Sequence, residues 1–199
     1  MKKLLLTCAL VLGTVLAHAE APSKLRFVGR VGMGFGSDAL DSGTYVGGSR
    51  WELSAGNGLK YAVGADYRIS EKITIQATVG KELSTVPAGN GDLTFNRTPV
   101  EVLGFYDVSK DFRLGGGLRN STNAQVSSSG AGNGYPAVGT WTSSVGAVLE
   151  GQYIFDAKRH SDGAVSEFGV NLRFVGENFT KDGVTKRGDH AEVGIFINY

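Results

Sequence analysis

The final stretch, Glu192-Val193-Gly194-Ile195-Phe196-Ile197-Asn198-Tyr199, constrains the fold most. Val193, Ile195, Ile197 and Tyr199 are apolar, and Glu192, Gly194 and Asn198 alternate with them, Phe196 being the exception. A period of two marks a strand with two different faces. On an open sheet edge, a strand this apolar would invite aggregation. A closed barrel in a lipid bilayer has no edge and needs an apolar outer face.

The same alternation recurs upstream. Strand one, about Lys24 to Phe35, sets Leu25, Phe27, Val31, Met33 and Phe35 against Lys24, Arg26 and Arg30. Strand two sets Leu59, Tyr61, Val63, Ala65 and Tyr67 against Lys60, Asp66 and Arg68. Trp51, Leu53 and Ala55 keep its apolar parity, so it is expected to start near Arg50 and project above the membrane. Strand three sets Ile73, Ile75, Ala77 and Val79 against Thr74, Gln76 and Thr78. In strand four Val100, Val102, Gly104 and Tyr106 oppose Glu101, while Leu93 and Phe95 have the other parity. Pro99 lies between these sets and cannot donate to a ladder, which predicts a bulge that resets the register. Strand five sets Phe112, Leu114 and Leu118 against Arg113 and Arg119. Strand six sets Val145, Ala147, Leu149 and Tyr153 against Glu150 and Gln152. Strand seven sets Phe168, Val170, Leu172 and Phe174 against Glu167, Asn171 and Arg173, and the final stretch is strand eight.

Long polar loops are expected near 36–49, 82–92, 120–140 and 177–188, with shorter turns at 70–72, 107–111 and 156–163. Long loops on one side and short turns on the other are the pattern of an all-β, eight-stranded antiparallel up-and-down transmembrane β-barrel. No charged side chain falls at a central position of an apolar face. At the bilayer midplane an Arg or Lys there would cost about 2–4 kcal/mol.

With the apolar faces toward lipid, the other parity fills the lumen. It carries Arg26, Arg30, Lys60, Asp66, Arg68, Glu101, Arg113, Arg119, Glu150, Glu167, Arg173 and Glu192. An eight-stranded barrel is just wide enough inside for side chains to fill it. Buried charges must pair. These residues are therefore expected to form a structural charge network that plugs the lumen, a narrow gated polar pore being the alternative.

Met1-Lys2-Lys3, the apolar run Leu4 to Leu16 and Ala17-His18-Ala19 read as a secretory signal peptide over 1–19, leaving 20–199 as one barrel domain. The apolar run is too short to span a membrane as a helix. The single cysteine, Cys8, falls inside it. The mature chain then has no thiol for a disulfide, a zinc–thiolate site or a nucleophile. Losing Lys2 and Lys3 takes the formal charge from +1 to −1, which gives no global attraction for nucleic acid. Thirty Gly against four Pro fits many closely packed strands and not collagen or disorder.

Tyr67, Tyr106, Tyr153 and Tyr199 end the apolar faces of the even-numbered strands and read as an interfacial aromatic girdle. With the leader, the eight strands and the aromatic terminus, the chain resembles the small outer-membrane β-barrel proteins of Gram-negative bacteria, the OmpA/OmpX-type barrel domain family. Thr94 to Leu118 resembles that family's central hairpin. The resemblance implies an outer-membrane location with periplasmic termini and extracellular long loops. It implies contact with outer-membrane lipid and lipopolysaccharide, a terminal Tyr199 read as the assembly signal by the barrel-assembly machinery, and periplasmic chaperones during biogenesis. A monomer is expected. The family hosts several activities, so the resemblance specifies none.

The expected role is structural or surface-binding, through loops in which Tyr45, Trp51, Tyr135 and Trp141 are adhesion candidates. A narrow pore for small solutes or apolar molecules is the alternative. A lipid-modifying enzyme and a soluble periplasmic binding barrel are disfavoured. Catalysis would need a serine with a histidine and a carboxylate. His160-Ser161 lies in a turn assigned to the periplasm, and His190 stands beside Asp189 and Glu192 with no serine near it in sequence. No catalytic residue, metal-ligand spacing or cofactor motif is identified.

Overall fold

Two-residue alternation carries through to a closed wall of strands in the computed structural model, which describes residues 24–45, 47–88, 90–130, 134–159 and 165–199. The expected leader over 1–19 and the His160-Ser161 turn lie outside the described residues. In chain order the strands are β1 (Leu25–Phe35), β2 (Ala39–Thr44), β3 (Arg50–Ser54), β4 (Gly58–Arg68), β5 (Ile73–Ala88), β6 (Gly91–Asp107) and β7 (Phe112–Ser128). They continue as β8 (Gly139–Thr140), β9 (Thr142–Ser143), β10 (Val145–Arg159), β11 (Val165–Gly176), β12 (Asn178–Lys181), β13 (Val184–Arg187) and β14 (His190–Asn198).

Eight of these, β1, β4, β5, β6, β7, β10, β11 and β14, pair antiparallel in that order. β14 then pairs back onto β1, from Val28↔Asn198 to Phe35↔Ala191, and closes the barrel. The side chains face as the alternation demands. Ile195 is 44% and Leu149 66% exposed, whereas Arg113 and Glu150 on the opposite parity are 1% and 2%.

β5, β6 and β7 run 16, 17 and 17 residues, against the roughly 9–11 that a tilted strand needs to cross a bilayer. Their surplus builds a wall beyond one end of the barrel, where the polarity inverts. Leu93, Phe95, Ala124 and Val126 point inward and meet Leu40, Trp51, Leu53, Ala55, Ala137, Trp141 and Phe179 in an apolar core. On the outer side of the same strands stand Thr94, Asn96, Thr122, Gln125 and Ser127.

This inversion corrects four expectations. The β5–β6 register runs unbroken from Ile73↔Tyr106 to Ala88↔Gly91, so strand four has no bulge at Pro99. Leu93, Phe95, Arg97, Pro99, Glu101, Leu103 and Phe105 all share the inward face. The apolar residues change sides because the surroundings change, not because the strand does. The extra residue sits on the neighbouring strand: Asn96↔Gln125 steps to Thr98↔Thr122, leaving Asn123 unpaired with a φ of 52°.

Second, β3 is not an extension of β4. It pairs with β2 as a separate hairpin, and Trp51, Leu53 and Ala55 are buried instead of facing out. Gly58, at a φ of 101°, re-aims the chain between the two strands and breaks the parity. Third, the long loops are largely strand. β2 occupies part of 36–49, the β5–β6 hairpin part of 82–92, β7 the start of 120–140, and β12–β13 the region 177–188. β10 likewise runs through Arg159 into the expected 156–163 turn. These segments are rich in Ser, Thr and Gly and lack the apolar alternation that announces a strand. Fourth, Trp51 and Trp141 are 8% and 6% exposed, so they are core residues and not surface adhesion candidates.

Candidate functional site: the buried charge network

The inward face of the eight wall strands brings the lumen charges together in three tiers. In the tier nearest the short turns, Arg26 of β1 pairs with Asp66 at 3.1 Å and with Glu167 at 2.7 Å. Arg113 of β7 faces the same two carboxylates at 3.7 and 3.6 Å. Its guanidinium carbon lies 4.9 Å from the centre of the Phe105 ring and 5.4 Å from that of Phe196. Arg113 Nε donates to Gln152 at 2.5 Å, and Gln152 donates to Glu150 at 2.6 Å, which links this tier to the next.

In the middle tier Arg30 pairs with Glu101, and with Glu150 at 3.7 Å. Arg173 reaches Glu101 at 2.7 Å, Glu150 at 2.9 Å and Glu192 at 2.5 Å. In the outer tier Lys60 pairs with Glu82 at 2.7 Å, and Arg97 with Glu82 at 2.5 Å and Glu177 at 3.3 Å. Arg119 touches Glu82 at 2.8 Å, Glu177 at 3.0 Å, Glu101 at 3.1 Å and Glu192 at 3.5 Å. Among the described residues the tiers thus hold two, two and three cations against two, two and three carboxylates. Many of these partners also face each other directly across adjacent strands: Arg26↔Asp66, Lys60↔Glu82, Glu82↔Arg97, Glu101↔Arg119, Glu150↔Arg173 and Arg173↔Glu192.

Of the twelve lumen charges named from sequence, eleven lie in these tiers and Arg68 does not. Arg68 is at the short-turn rim, 3.6 Å from Asp107, with its side chain 40% exposed. The tiers add three charges that the alternation does not mark, Glu82, Arg97 and Glu177, and His190 borders the outer one through Glu192. Glu82 and Arg97 continue the inward parity of Thr78 and Glu101 once β5 and β6 are allowed to run on. Glu177 follows Val175 by two residues, and His190 precedes Glu192 by two. Tyr67, Tyr106, Tyr153 and Tyr199 are outward and 45–63% exposed, near the short-turn end of their strands.

The void in the lumen bordered by Arg30, Lys60, Glu82, Asn171 and Arg173 measures about 20 Å³, room for one water. Glu82, His190 and Glu192 place one ligand atom each within 4.8 Å of one another. Lys60 already lies 2.7 Å from Glu82 and 3.6 Å from Glu192, and Arg97, Arg119 and Arg173 crowd the same carboxylates. A metal ion would have to displace these cations, so the donor set does not suit one. Both ring nitrogens of His190 are engaged, by the Gly188 carbonyl and by Glu192, which leaves neither free to activate a hydroxyl.

No protein-family model matches the chain, and no curated protein does. Among solved structures it is similar to the crystal structure of Neisserial surface protein A (NspA), at 12% identity and a TM-score of 0.47, over 90% of this chain and 98% of that one. It is also similar to the outer membrane protein AlkL, determined by solid-state NMR in DMPC lipid bilayers, at 14% identity and a TM-score of 0.39, over 92% and 90%. A third is the outer membrane protein OprG from Pseudomonas aeruginosa, at 10% identity and a TM-score of 0.42, over 92% and 99%.

Proposed function

We propose that this chain is an outer-membrane barrel protein of a Gram-negative bacterium with a structural or surface-binding role, its lumen closed by the charge network. The observation that carries the reading is the pairing of an exposed apolar belt with a charge-balanced interior. Phe27, Val31, Met33, Val63, Val102, Leu118, Leu149, Leu172, Phe174 and Ile195 are each 43–66% exposed and belong to all eight wall strands except β5, which adds Ile75 and Val79. Soluble monomers rarely expose contiguous apolar patches above a few hundred Å². A soluble binding barrel would carry the reverse facing.

In this reading residues 1–19 are the signal peptide, the short turns and termini are periplasmic, and the outer apolar core stands above the membrane among lipopolysaccharide. Tyr67, Tyr106, Tyr153 and Tyr199 form the inner-leaflet girdle. Tyr199 also serves as the signal for the barrel-assembly machinery, after delivery by periplasmic chaperones. The twelve sequence-named charges act as structure and not as a conduction path, and no cofactor is involved. A pore is opposed by the paired charges that fill the lumen and by the apolar core above them.

Planar-bilayer recording on the refolded barrel tests the role. Steady silence is expected, and sustained unitary currents would establish a pore instead. Release from membranes by a salt wash without detergent would end the outer-membrane reading.

A further inference from the structure

His190 sits at the outer end of the lumen, at the start of β14, and is 6% exposed. Its Nδ1 lies 2.6 Å from the carbonyl oxygen of Gly188, and its Nε2 lies 2.8 Å from Glu192 Oε1. A carbonyl oxygen only accepts, so Nδ1 carries a hydrogen. A neutral imidazole protonated at Nδ1 presents a lone pair at Nε2, and an ionised Glu192 presents another. Two acceptors at this distance require a proton between them. We propose that the His190–Glu192 pair holds one shared proton, and that this proton latches the β12–β13 hairpin over the outer end of the lumen.

The route from the proton to the hairpin is short. Gly188 follows β13 directly, and its N–H donates to the Glu177 carbonyl at 2.7 Å, closing the base of the hairpin. A Cβ on Gly188 would stand 2.5 Å from the Phe179 ring, so the backbone here lies against that ring. Phe179 is fully buried, edge-on to Phe95 and 4.9 Å from the guanidinium of Arg97. Fixing the Gly188 carbonyl therefore holds Phe179 over the outer charge tier.

The surroundings make this proton the exchangeable part of the assembly. Glu192 faces Arg173 of β11 at 2.5 Å, Arg119 of β7 at 3.5 Å and Lys60 of β4 at 3.6 Å. Glu82 of β5 lies within 4.8 Å of the pair, and Arg97 of β6 contacts Glu82. Asp189, the residue before His190, is turned away to Arg187. Gly56 lies against Cβ and Cγ of His190, and Gly36 beside its Cα and Cβ. The outer tier is balanced without the shared proton and carries one positive charge more with it. Burial and the neighbouring cations oppose the proton, while two short hydrogen bonds retain it. Without the proton Nε2 and Glu192 are two acceptors 2.8 Å apart, which turns the ring off the Gly188 carbonyl; above the ordinary imidazole range the open state does not carry that proton, so rising pH releases the latch.

The test uses the full chain refolded in micelles with ¹⁵N-labelled histidine, the His190 signals being assigned by comparison with His190→Gln. Ring nitrogen shifts and amide protection factors across Phe179 to Lys186 are followed from about pH 5 to about pH 9. At the acid end both nitrogens should read as hydrogen-bearing, and hairpin protection should be at least about ten-fold higher than at the alkaline end, with coincident midpoints. In Glu192→Gln the new amide N–H donates to Nε2 of a neutral ring, so hairpin protection should no longer follow pH. A ring that does not titrate over this range, or protection that follows pH equally in Glu192→Gln, overturns the proposal. Should that variant not fold, coincidence or separation of the two wild-type midpoints decides the matter.

Discussion

Arg119 meets Glu101 at 3.1 Å across the β6–β7 pair, where the two are also direct register partners. The same guanidinium serves Glu82, Glu177 and Glu192, and Arg119 is 1% exposed. A buried ion pair adds little stability over apolar residues of the same volume, but removing one partner strands the other. Arg119→Met keeps the bulk and strips four carboxylates of a shared cation. Urea titration of the barrel refolded in lipid vesicles should show a loss of about 3–5 kcal/mol. A loss below about 1 kcal/mol would mean that the tiers relax freely, which the dense pairing argues against.

The polarity inversion along β6 makes two outward positions respond oppositely to one substitution. Val102 is 54% exposed within the apolar belt, and Thr94 faces out from the wall above it. Val102→Lys should cost about 2–4 kcal/mol if it lies near the midplane and reduce the amount recovered in outer membranes. Thr94→Lys should leave recovery unchanged. Equal recovery of the two would contradict the level assigned to the membrane boundary.

The outer core should fail locally. Leu53, fully buried, packs with Trp51, Phe95 and Phe179. Leu53→Ala should cost about 2–5 kcal/mol of the stability of that extension. Limited trypsinolysis should then cut faster at Arg50 and Lys181, while the strands below stay protected. Simultaneous loss of both parts would show a single cooperative unit.

Two glycines on the adjacent strands β6 and β7 give a packing test. A Cβ at Gly117 would sit 2.0 Å from the Val102 carbonyl oxygen, whereas one at Gly104 meets nothing within 4 Å. Gly117→Ala should destabilise by about 1–3 kcal/mol, and Gly104→Ala should be nearly neutral in the same urea titration. Equal effects would show that the close approach of β6 and β7 is soft.

The wall of the barrel was legible because lipid imposes one rule on every outward position. Ile195, Leu149, Val102 and Phe27 obey it, and their neighbours Glu192, Glu150, Glu101 and Arg26 follow by parity. That rule ends above the membrane. Leu93 and Phe95 then face in while Val100 and Val102 face out, and the alternation reads as a register slip although the strand is continuous. Trp51 and Leu53 misled for a related reason: Gly58 reorients the chain, and nothing in the spacing of apolar residues marks that turn. Glu82 and Glu177 fall in segments whose composition suggests loop, and Arg97 lies behind the register break expected at Pro99. His190 stands two residues from Glu192 on the same face of β14, but an imidazole at that spacing does not by itself mark a member of a charge network.

The direct register of Arg26 with Asp66, Glu101 with Arg119 and Glu150 with Arg173 bears on how the barrel is made. These partners can meet as soon as their two strands join, while the sheet is still flat. Arg30 and Arg113 must wait, because their carboxylates, Glu101 and Glu150 for the one and Asp66 and Glu167 for the other, stand on strands that do not adjoin theirs. The growing sheet can therefore enter hydrocarbon with most of its interior charge already neutralised, and the two remaining arginines find their counterions only when it curls shut.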